Sequence, residues 1–114
     1  MDDALSYLPL REPTFLILLS LSPGPKHGYA ILKEVESLSE GRVLLSTGTL
    51  YGAIKRLLDH GWIRRVDDPL PNPTERARKA YVLTALGRGV LNAEVQRLDK
   101  LVRAAQTRTK EEPA

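Results

Sequence analysis

The sequence contains no cysteine, which excludes disulfide bonds, thiolate metal sites and cysteine nucleophiles. It also lacks any long hydrophobic run. The most apolar stretch, Phe15 to Leu19, is far shorter than the ~20 residues needed to span a bilayer. The residues before it are acidic rather than basic, unlike those of a signal peptide. We therefore expect a protein of the reducing cytoplasm, with neither a membrane span nor a secretion signal.

Histidine and aromatic residues are scarce as well. His27 and His60 are the only histidines, and neither belongs to a motif that would form a catalytic or metal site. Gly48 and Gly52 are not followed by the Lys-Ser/Thr pair of a phosphate-binding loop. One Trp, one Phe and four Tyr give no basis for assigning effector residues. We expect neither an enzyme nor a bound cofactor or metal.

What the sequence does contain is the composition of one ordinary folded domain. Its 114 residues are 42% hydrophobic and 27% charged, close to the average for soluble globular proteins. The net charge of +3 is compatible with a nucleic-acid partner but does not require one. Basic residues concentrate in the middle of the chain, at Arg56, Arg64, Arg65, Arg76, Arg78, Lys79 and Arg88. Such a cluster fits either a DNA-binding face or a solvated surface of mixed charge.

The spacing of apolar residues predicts two helices in the first part of the chain. Residues 13–21 are apolar on almost every side, which indicates a central core helix that opens on Pro13. Ser22-Pro23-Gly24-Pro25 then interrupts the chain. Residues 29–38 carry apolar side chains at i, i+4 and i+7, which predicts an amphipathic helix that ends near Gly41. A short extended piece is expected at 43–45.

A third helix and a hairpin are predicted to follow. Ser46 is a good N-cap, and His60-Gly61 stops the helix that it opens. Residues 62–66 and 79–83 have the composition of strands, and the Pro-rich segment 67–77 between them predicts a long wing.

Thr84 can cap a last helix that runs to about Gln106. The order of elements predicts a mainly α chain with a small β hairpin. We expect a winged helix-turn-helix domain at 1–83, a dimerisation helix at 84–106 and a polar, disordered tail at 107–114.

The third helix is the predicted DNA-reading element, because the second helix of a helix-turn-helix motif enters the major groove with its amino-terminal residues against the bases. Its exposed face is small at first and basic afterwards. Gly48 and Gly52 leave that face open, which would admit the DNA backbone; the alternative is that both glycines merely loosen the helix or permit tight packing. The predicted contacts from this helix are Ser46, Thr47, Gly48, Thr49, Lys55 and Arg56.

Three separated segments resemble the PadR family of bacterial transcriptional regulators. The most specific is Gly48-Thr49-Leu50-Tyr51, followed at the family's spacing by Ile54, Leu57 and Gly61-Trp62-Ile63. His27-Gly28-Tyr29 matches the opening of the family's second helix, and Arg78 to Thr84 with Gly87 matches the wing strand and the start of the last helix. The resemblance runs from Leu10 to Leu91. It is nearest to the short subgroup that has a single carboxy-terminal dimerisation helix.

This resemblance implies a homodimeric, repressor-type regulator that binds a roughly palindromic operator in double-stranded DNA. Several relatives are controlled by small-molecule effectors, so an effector is an open question here. The implied contacts are Ser46, Thr47, Thr49 and Tyr51 in the recognition helix and Arg78 and Lys79 in the wing, beside Arg76.

Two features of the implied DNA contacts stay open at this point. Tyr51 lies at the flank of the apolar face, where its ring can pack inside while its hydroxyl reaches a phosphate. The wing also carries Asp67, Asp68 and Glu75, so only its returning arm is a good candidate for gripping phosphate.

The last helix predicts dimerisation independently of any family. Leu91, Val95, Leu98, Val102 and Ala105 follow alternating spacings of four and three residues, which is typical of a helix–helix seam. The alternative is that this seam packs on its own domain. A two-fold dimer would place two recognition helices ~34 Å apart, one turn of DNA. The competing function is a winged-helix module that binds another protein rather than DNA.

Overall fold

The structure, a computed structural model, describes residues 4–67 and 79–111. A 3-10 turn at Ala4–Tyr7 precedes the larger elements. The helices are α1 (Glu12–Ser20), α2 (Gly28–Leu38), α3 (Thr47–His60) and α4 (Ala85–Glu111), and the strands are β1 (Lys26–His27), β2 (Ile63–Asp67) and β3 (Lys79–Leu83). The described chain is therefore mainly α with a small antiparallel sheet, in the order that a winged helix-turn-helix requires. The predicted wing, with Arg76 and Arg78, falls in the segment between β2 and β3 that lies outside the described residues.

The sheet has β3 at its centre, with β1 and β2 antiparallel on either side. Ile63 lies opposite Leu83 and Asp67 opposite Lys79 in the β2–β3 pair. In the β1–β3 pair, Lys26 lies opposite Tyr81. The extended piece expected at 43–45 is not a strand, and the third strand comes from Lys26 and His27 instead. Pro25 favours extended backbone in the residue before it and cannot continue a helix, so the chain leaves the Pro-Gly turn extended and pairs briefly with β3.

The core lies between the three amino-terminal helices, the sheet and the start of α4. In α1, Leu16, Ile17 and Leu18 are all buried, because this helix contacts both α2 and α4. This agrees with the prediction of a central apolar helix. Trp62 is buried at the base of the hairpin, stacked on His60 with ring centroids 4.7 Å apart. The Tyr7 ring meets Trp62 edge-on at 5.0 Å and covers this end of the core.

The last helix is longer than predicted. Thr84 caps it as expected, since its Oγ1 accepts the Gly87 N–H at 3.0 Å. The helix continues past Gln106 to Glu111, so residues 107–111 are not the disordered tail that the polar composition suggested. The Thr109 hydroxyl donates to the Ala105 carbonyl at 2.6 Å, and most of these residues favour helix despite their polarity. Within the described ranges, no helix is long and apolar enough to cross a membrane.

Candidate nucleic-acid interface

Helix α3 is capped at both ends. The Ser46 hydroxyl accepts the Thr49 N–H at 3.1 Å and donates to Thr49 Oγ1 at 2.9 Å. Gly61 closes the helix in the left-handed conformation with φ 78°, which a residue with a side chain rarely adopts. The Ser46 hydrogen is thus used within the cap. The Thr49 hydroxyl accepts that bond and keeps its own hydrogen for an outside acceptor.

One face of α3 is buried and the other faces solvent. Leu50, Ala53, Ile54 and Leu57 lie in the core. The exposed or partly exposed residues include all of the predicted contacts of this helix: Ser46, Thr47, Gly48, Thr49, Tyr51, Lys55 and Arg56. The first amides of a helix have no acceptor within it, so the α3 amino terminus is also available to a phosphate oxygen.

Gly48 and Gly52 are not required by packing within the chain. A Cβ added to Gly48 would meet nothing within 4 Å, and one added to Gly52 would meet only Arg56 Nη1 at 3.9 Å. Tight packing therefore does not explain these glycines. At both positions the outer face of α3 carries no side chain, so that another molecule can approach its backbone closely.

Tyr51 does not pack in the core. Its side chain is 45% exposed, and its ring lies across Gly28, the first residue of α2. A Cβ at Gly28 would collide with the Tyr51 hydroxyl and come within 2.8 Å of Cζ. Glycine at position 28 is therefore needed for this contact, which links the second turn of α3 to the start of α2.

The two basic residues of α3 are both exposed but border different cavities. Lys55 borders a groove between α3 and β2 and lies 3.7 Å from Asp59. Arg56 borders a different cavity, which it shares with Tyr7 and Thr14 of the amino-terminal segment. A ligand that follows one of these cavities would therefore meet one of the two predicted contacts more closely than the other.

The β2–β3 ribbon contributes the remaining described cations. Lys79 is exposed and lies directly opposite Asp67, whose negative charge offsets part of its own. Arg64 and Arg65 are both exposed on β2. Both belong to the basic cluster of the sequence, but neither is among the predicted DNA contacts. Because successive side chains of a strand point to opposite faces, the sequence could have shown that Arg64 and Arg65 lie on different faces of β2, with Arg65 on the face of Ile63.

The predicted dimerisation seam divides into two parts. Leu91 is buried in the core of its own chain, so it is not available to a partner. Leu98 is half-buried, Val95 is exposed, and Val102 is 51% exposed. Ala105 is exposed, and Leu101 on the same side of the helix is 55% exposed. The outer two-thirds of α4 therefore carries an apolar stripe that is largely exposed in the single chain.

A buried carboxylate, which the sequence analysis missed, lies just before this stripe. Glu94 is 2% exposed, and its Oε2 accepts the Leu10 N–H at 3.0 Å. Arg97 Nε donates to Glu94 Oε1 at 2.6 Å and Nη2 to Oε2 at 2.9 Å. The hydrogen bond from Arg97 lowers the pKa of Glu94, although burial opposes that shift. Glu94 thus ties the amino-terminal segment to α4.

Comparison with known proteins places these features in a family. Residues 17–93 match the model of the transcriptional regulator PadR-like family. An uncharacterized 37.1 kDa protein in transposon TN4556 of Streptomyces fradiae is 34% identical over 91 residues. The match covers 80% of this chain and 24% of that protein, so the chain spans about a quarter of the length of this curated relative.

Solved structures share the fold. A PadR family transcription regulator from Clostridium difficile R20291 superposes with a TM-score of 0.69 at 24% identity, over 85% of this chain and 97% of that one. Bacillus subtilis PadR in complex with operator DNA superposes with a TM-score of 0.64 at 25% identity, over 75% of this chain and 47% of that one.

Proposed function

Because this chain belongs to the PadR-like family of transcriptional regulators, we propose that it regulates transcription as a homodimer that binds double-stranded DNA. The observation that carries the proposal is the outer face of α3. Gly48 and Gly52 lie on this face, and a Cβ added to either would meet no close neighbour. The residues around them carry exposed hydroxyl and basic side chains. Such a face lets the backbone of a helix enter the major groove closely while Thr49 reaches base edges.

The dimer is supported by the largely exposed apolar stripe on α4. Leu98, Leu101 and Val102 offer apolar surface that a second copy of the helix can bury. A two-fold pair would place two α3 helices on one side of the DNA, ~34 Å apart. The operator is then an inverted repeat, because each half-site meets the same residues.

Repression is the sign of regulation that we propose, since a dimer seated on an operator blocks access to that DNA. Its DNA partner places the protein in the cytoplasm. Bacillus subtilis PadR, solved with operator DNA, supports the choice of DNA over a protein as the partner. We propose no effector, because the described cavities do not single out a ligand chemistry.

The test is the salt dependence of DNA binding. Phosphate contacts release counterions, so the logarithm of the affinity should fall steeply and linearly with the logarithm of the salt concentration. Arg56→Ala and Lys79→Ala should each flatten that slope by about one unit. Fluorescence anisotropy with a labelled duplex measures both quantities. A salt-insensitive interaction, or no DNA retention at low salt, would favour the winged-helix module that binds another protein.

A further inference from the structure

Residues 4–11, which we call the amino-terminal bridge, contact the end of the proposed recognition helix. The Tyr7 ring meets His60, the last residue of α3, edge-on with ring centroids 5.4 Å apart. The same ring meets Trp62 edge-on at 5.0 Å, and His60 is stacked on Trp62. An edge-to-face pair such as Tyr7 and Trp62 adds stabilisation beyond the area that it buries. The bridge thus holds the carboxy-terminal end of α3 through a cluster of three rings.

The other end of the bridge is fixed to α4. The Leu10 N–H donates to Glu94 Oε2 at 3.0 Å, and the turn Ala4–Tyr7 packs on the same helix. Glu94 is 2% exposed, and its two oxygens also accept hydrogen bonds from Arg97. Such a network is costly to break, because a buried carboxylate loses its compensation with each hydrogen bond that is removed. The bridge therefore connects α4 to the end of α3 through contacts that resist movement.

Elsewhere, α3 is joined to α4 through intermediate elements. The main neighbours of α3 are α2 and β2, whereas α4 packs on α1 and β3 besides the bridge. A cavity of about 250 Å³ lies beside the bridge, lined by Leu10 on one side and by Arg56 and Leu57 of α3 on the other. The helix thus has open space next to the bridge. The Tyr7 contact limits the movement of α3 into that space.

In the proposed dimer, the position of α3 relative to α4 sets the distance between the two recognition helices. With the two-fold axis at the apolar stripe of α4, a tilt of α3 within each chain changes how both helices meet the DNA. One added base pair moves the half-sites apart by roughly 3.4 Å and rotates them by roughly 35° around the duplex. A dimer therefore discriminates between spacings only as far as α3 is held firmly relative to α4.

We infer that Tyr7 is a positioning residue that makes the protein selective for the spacing of the two half-sites. Its role is indirect, because it lies at the carboxy-terminal end of α3, roughly 17 Å along the helix from Thr49. It acts by holding that end of α3 to α4. Tyr7 is 43% exposed, so its ring can be removed without emptying a core site. The inference rests on the proposed function and adds to it a residue that fixes the geometry of the operator rather than its sequence.

The experiment uses the whole chain as wild type, Tyr7→Ala, Tyr7→Phe, Glu94→Gln and Ile31→Val. The probe is the inverted repeat that wild-type protein recovers from a pool of randomised duplexes. It is compared with versions whose spacer is one base pair longer or shorter and with a duplex that carries a single half-site. Fluorescence anisotropy measures each affinity. Ile31→Val is the control, because Ile31 is buried in α2 and its shortening destabilises the fold without changing the bridge.

Wild-type protein should bind the altered spacers roughly tenfold more weakly, whereas Tyr7→Ala should bind them within about threefold of the original repeat. The affinity of Tyr7→Ala for the single half-site should change less than about twofold, since the residues that reach the bases are intact. Tyr7→Phe keeps the ring and should discriminate as wild type does. Glu94→Gln weakens the other end of the bridge and should relax the discrimination as Tyr7→Ala does. Ile31→Val should lower the melting temperature and leave the discrimination unchanged.

Several results would overturn the inference alone. They are equal binding of all spacers by wild-type protein, full discrimination by Tyr7→Ala, and relaxed discrimination by Ile31→Val. A half-site affinity of Tyr7→Ala that falls as far as its affinity for the full repeat would also do so. Sedimentation should show the wild-type dimer for Tyr7→Ala, and a weaker dimer would assign the effect to assembly instead. If wild-type protein recovers no inverted repeat, the proposed function and this inference both fail.

Discussion

At the scale of single residues, the glycines of α3 present a conflict between stability and binding. A glycine within a helix costs roughly 0.5–1 kcal/mol relative to alanine. Neither Gly48 nor Gly52 has a neighbour that would obstruct a methyl group. The free protein would therefore be more stable with alanine at both positions. The proposed DNA contact, which needs this space, would account for glycine at both positions.

This conflict predicts that replacing either glycine raises the stability of the protein and lowers its affinity for DNA. Gly48→Ala and Gly52→Ala should each raise the free energy of unfolding, by about 0.5–1 kcal/mol at the interior position 52. Both should weaken DNA binding. Gly89→Ala in α4 is the control. A Cβ added at position 89 also meets nothing within 4 Å, and the position is distant from α3 in sequence. It should stabilise the protein without affecting DNA affinity. Urea unfolding and anisotropy give the two readouts, and unchanged affinity in the α3 variants would contradict the account.

The contact between Tyr51 and Gly28 predicts a coupled pair. Gly28→Ala should lower the melting temperature, because the new methyl group displaces the Tyr51 ring. In a Tyr51→Ala background the same change should cost much less. A double-mutant cycle should give a coupling of about 1 kcal/mol or more. Additive effects would mean that the ring moves aside freely and does not link α3 to α2.

At the scale of elements, the amino-terminal segment is held to α4 by Glu94. This carboxylate is charged in the folded chain, and its pKa is lowered chiefly by the hydrogen bond from Arg97. A lowered folded-state pKa means that the unfolded chain takes up the proton first as the pH falls. The contribution of Glu94 to stability is thus complete at neutral pH and is lost as the pH drops below about 4.

Glu94→Gln should therefore destabilise the protein by about 2 kcal/mol at pH 7. The difference from wild type should shrink as the pH falls through the folded-state pKa of Glu94. Urea unfolding of both proteins between pH 7 and pH 3 measures this. Glu36→Gln, a change of an exposed carboxylate on α2, is the control. A wild-type advantage that does not decrease in acid would show that the charge of Glu94 is not what stabilises the contact.

The elements that could be predicted from sequence are those with a strong local signal. Apolar spacing gave α1, α2 and α3, and the capping residues Ser46, Gly61 and Thr84 set boundaries that the structure shows. Strand β1 could not be predicted, because two residues have no periodicity and its pairing with β3 is non-local. The burial of Glu94 depends on Leu10, 84 residues away in the chain. A glutamate between apolar positions of a helix reads as a surface residue until that contact is known.

The same limit applies to the candidate interface. Exposure of the α3 contacts followed from its helical periodicity, whereas the different cavities that Lys55 and Arg56 border depend on the positions of neighbouring elements. The heptad spacing of α4 runs without a break from Leu91 to Ala105 and so predicted one dimerisation surface. Leu91 is nevertheless buried within its own domain, because the first part of the helix packs against the core. Where a helix leaves its domain is a tertiary property that heptad spacing does not reveal.

At the scale of the whole molecule, the chain is more extended than a lone compact domain. Its Cα radius of gyration is 16.8 Å, against roughly 13 Å expected for a compact domain of this length. The difference reflects α4, whose 27 residues span about 40 Å and continue beyond the core. A largely exposed apolar stripe on a projecting helix is expected to bind a partner.

Val102→Glu should therefore weaken the dimer at least tenfold, which corresponds to about 1.4 kcal/mol. The substitution places a charge in the middle of the apolar stripe, where Val102 is 51% exposed in the single chain. Gln96→Glu, on the opposite side of the same helix, is the matched control and should leave the dimer intact. Sedimentation equilibrium over a range of concentrations measures both. A wild-type protein that stays monomeric at all concentrations would contradict the proposed assembly.

The most direct test of the central claim, that α3 of a two-fold dimer reads DNA, is selection from a pool of randomised duplexes by the purified wild-type protein. The account predicts enrichment of an inverted repeat whose half-sites are centred about 10 base pairs apart. Gly48→Ala protein should fail to enrich that repeat. Recovery of a pool no different from the input, or enrichment of a single site without two-fold symmetry, would contradict it.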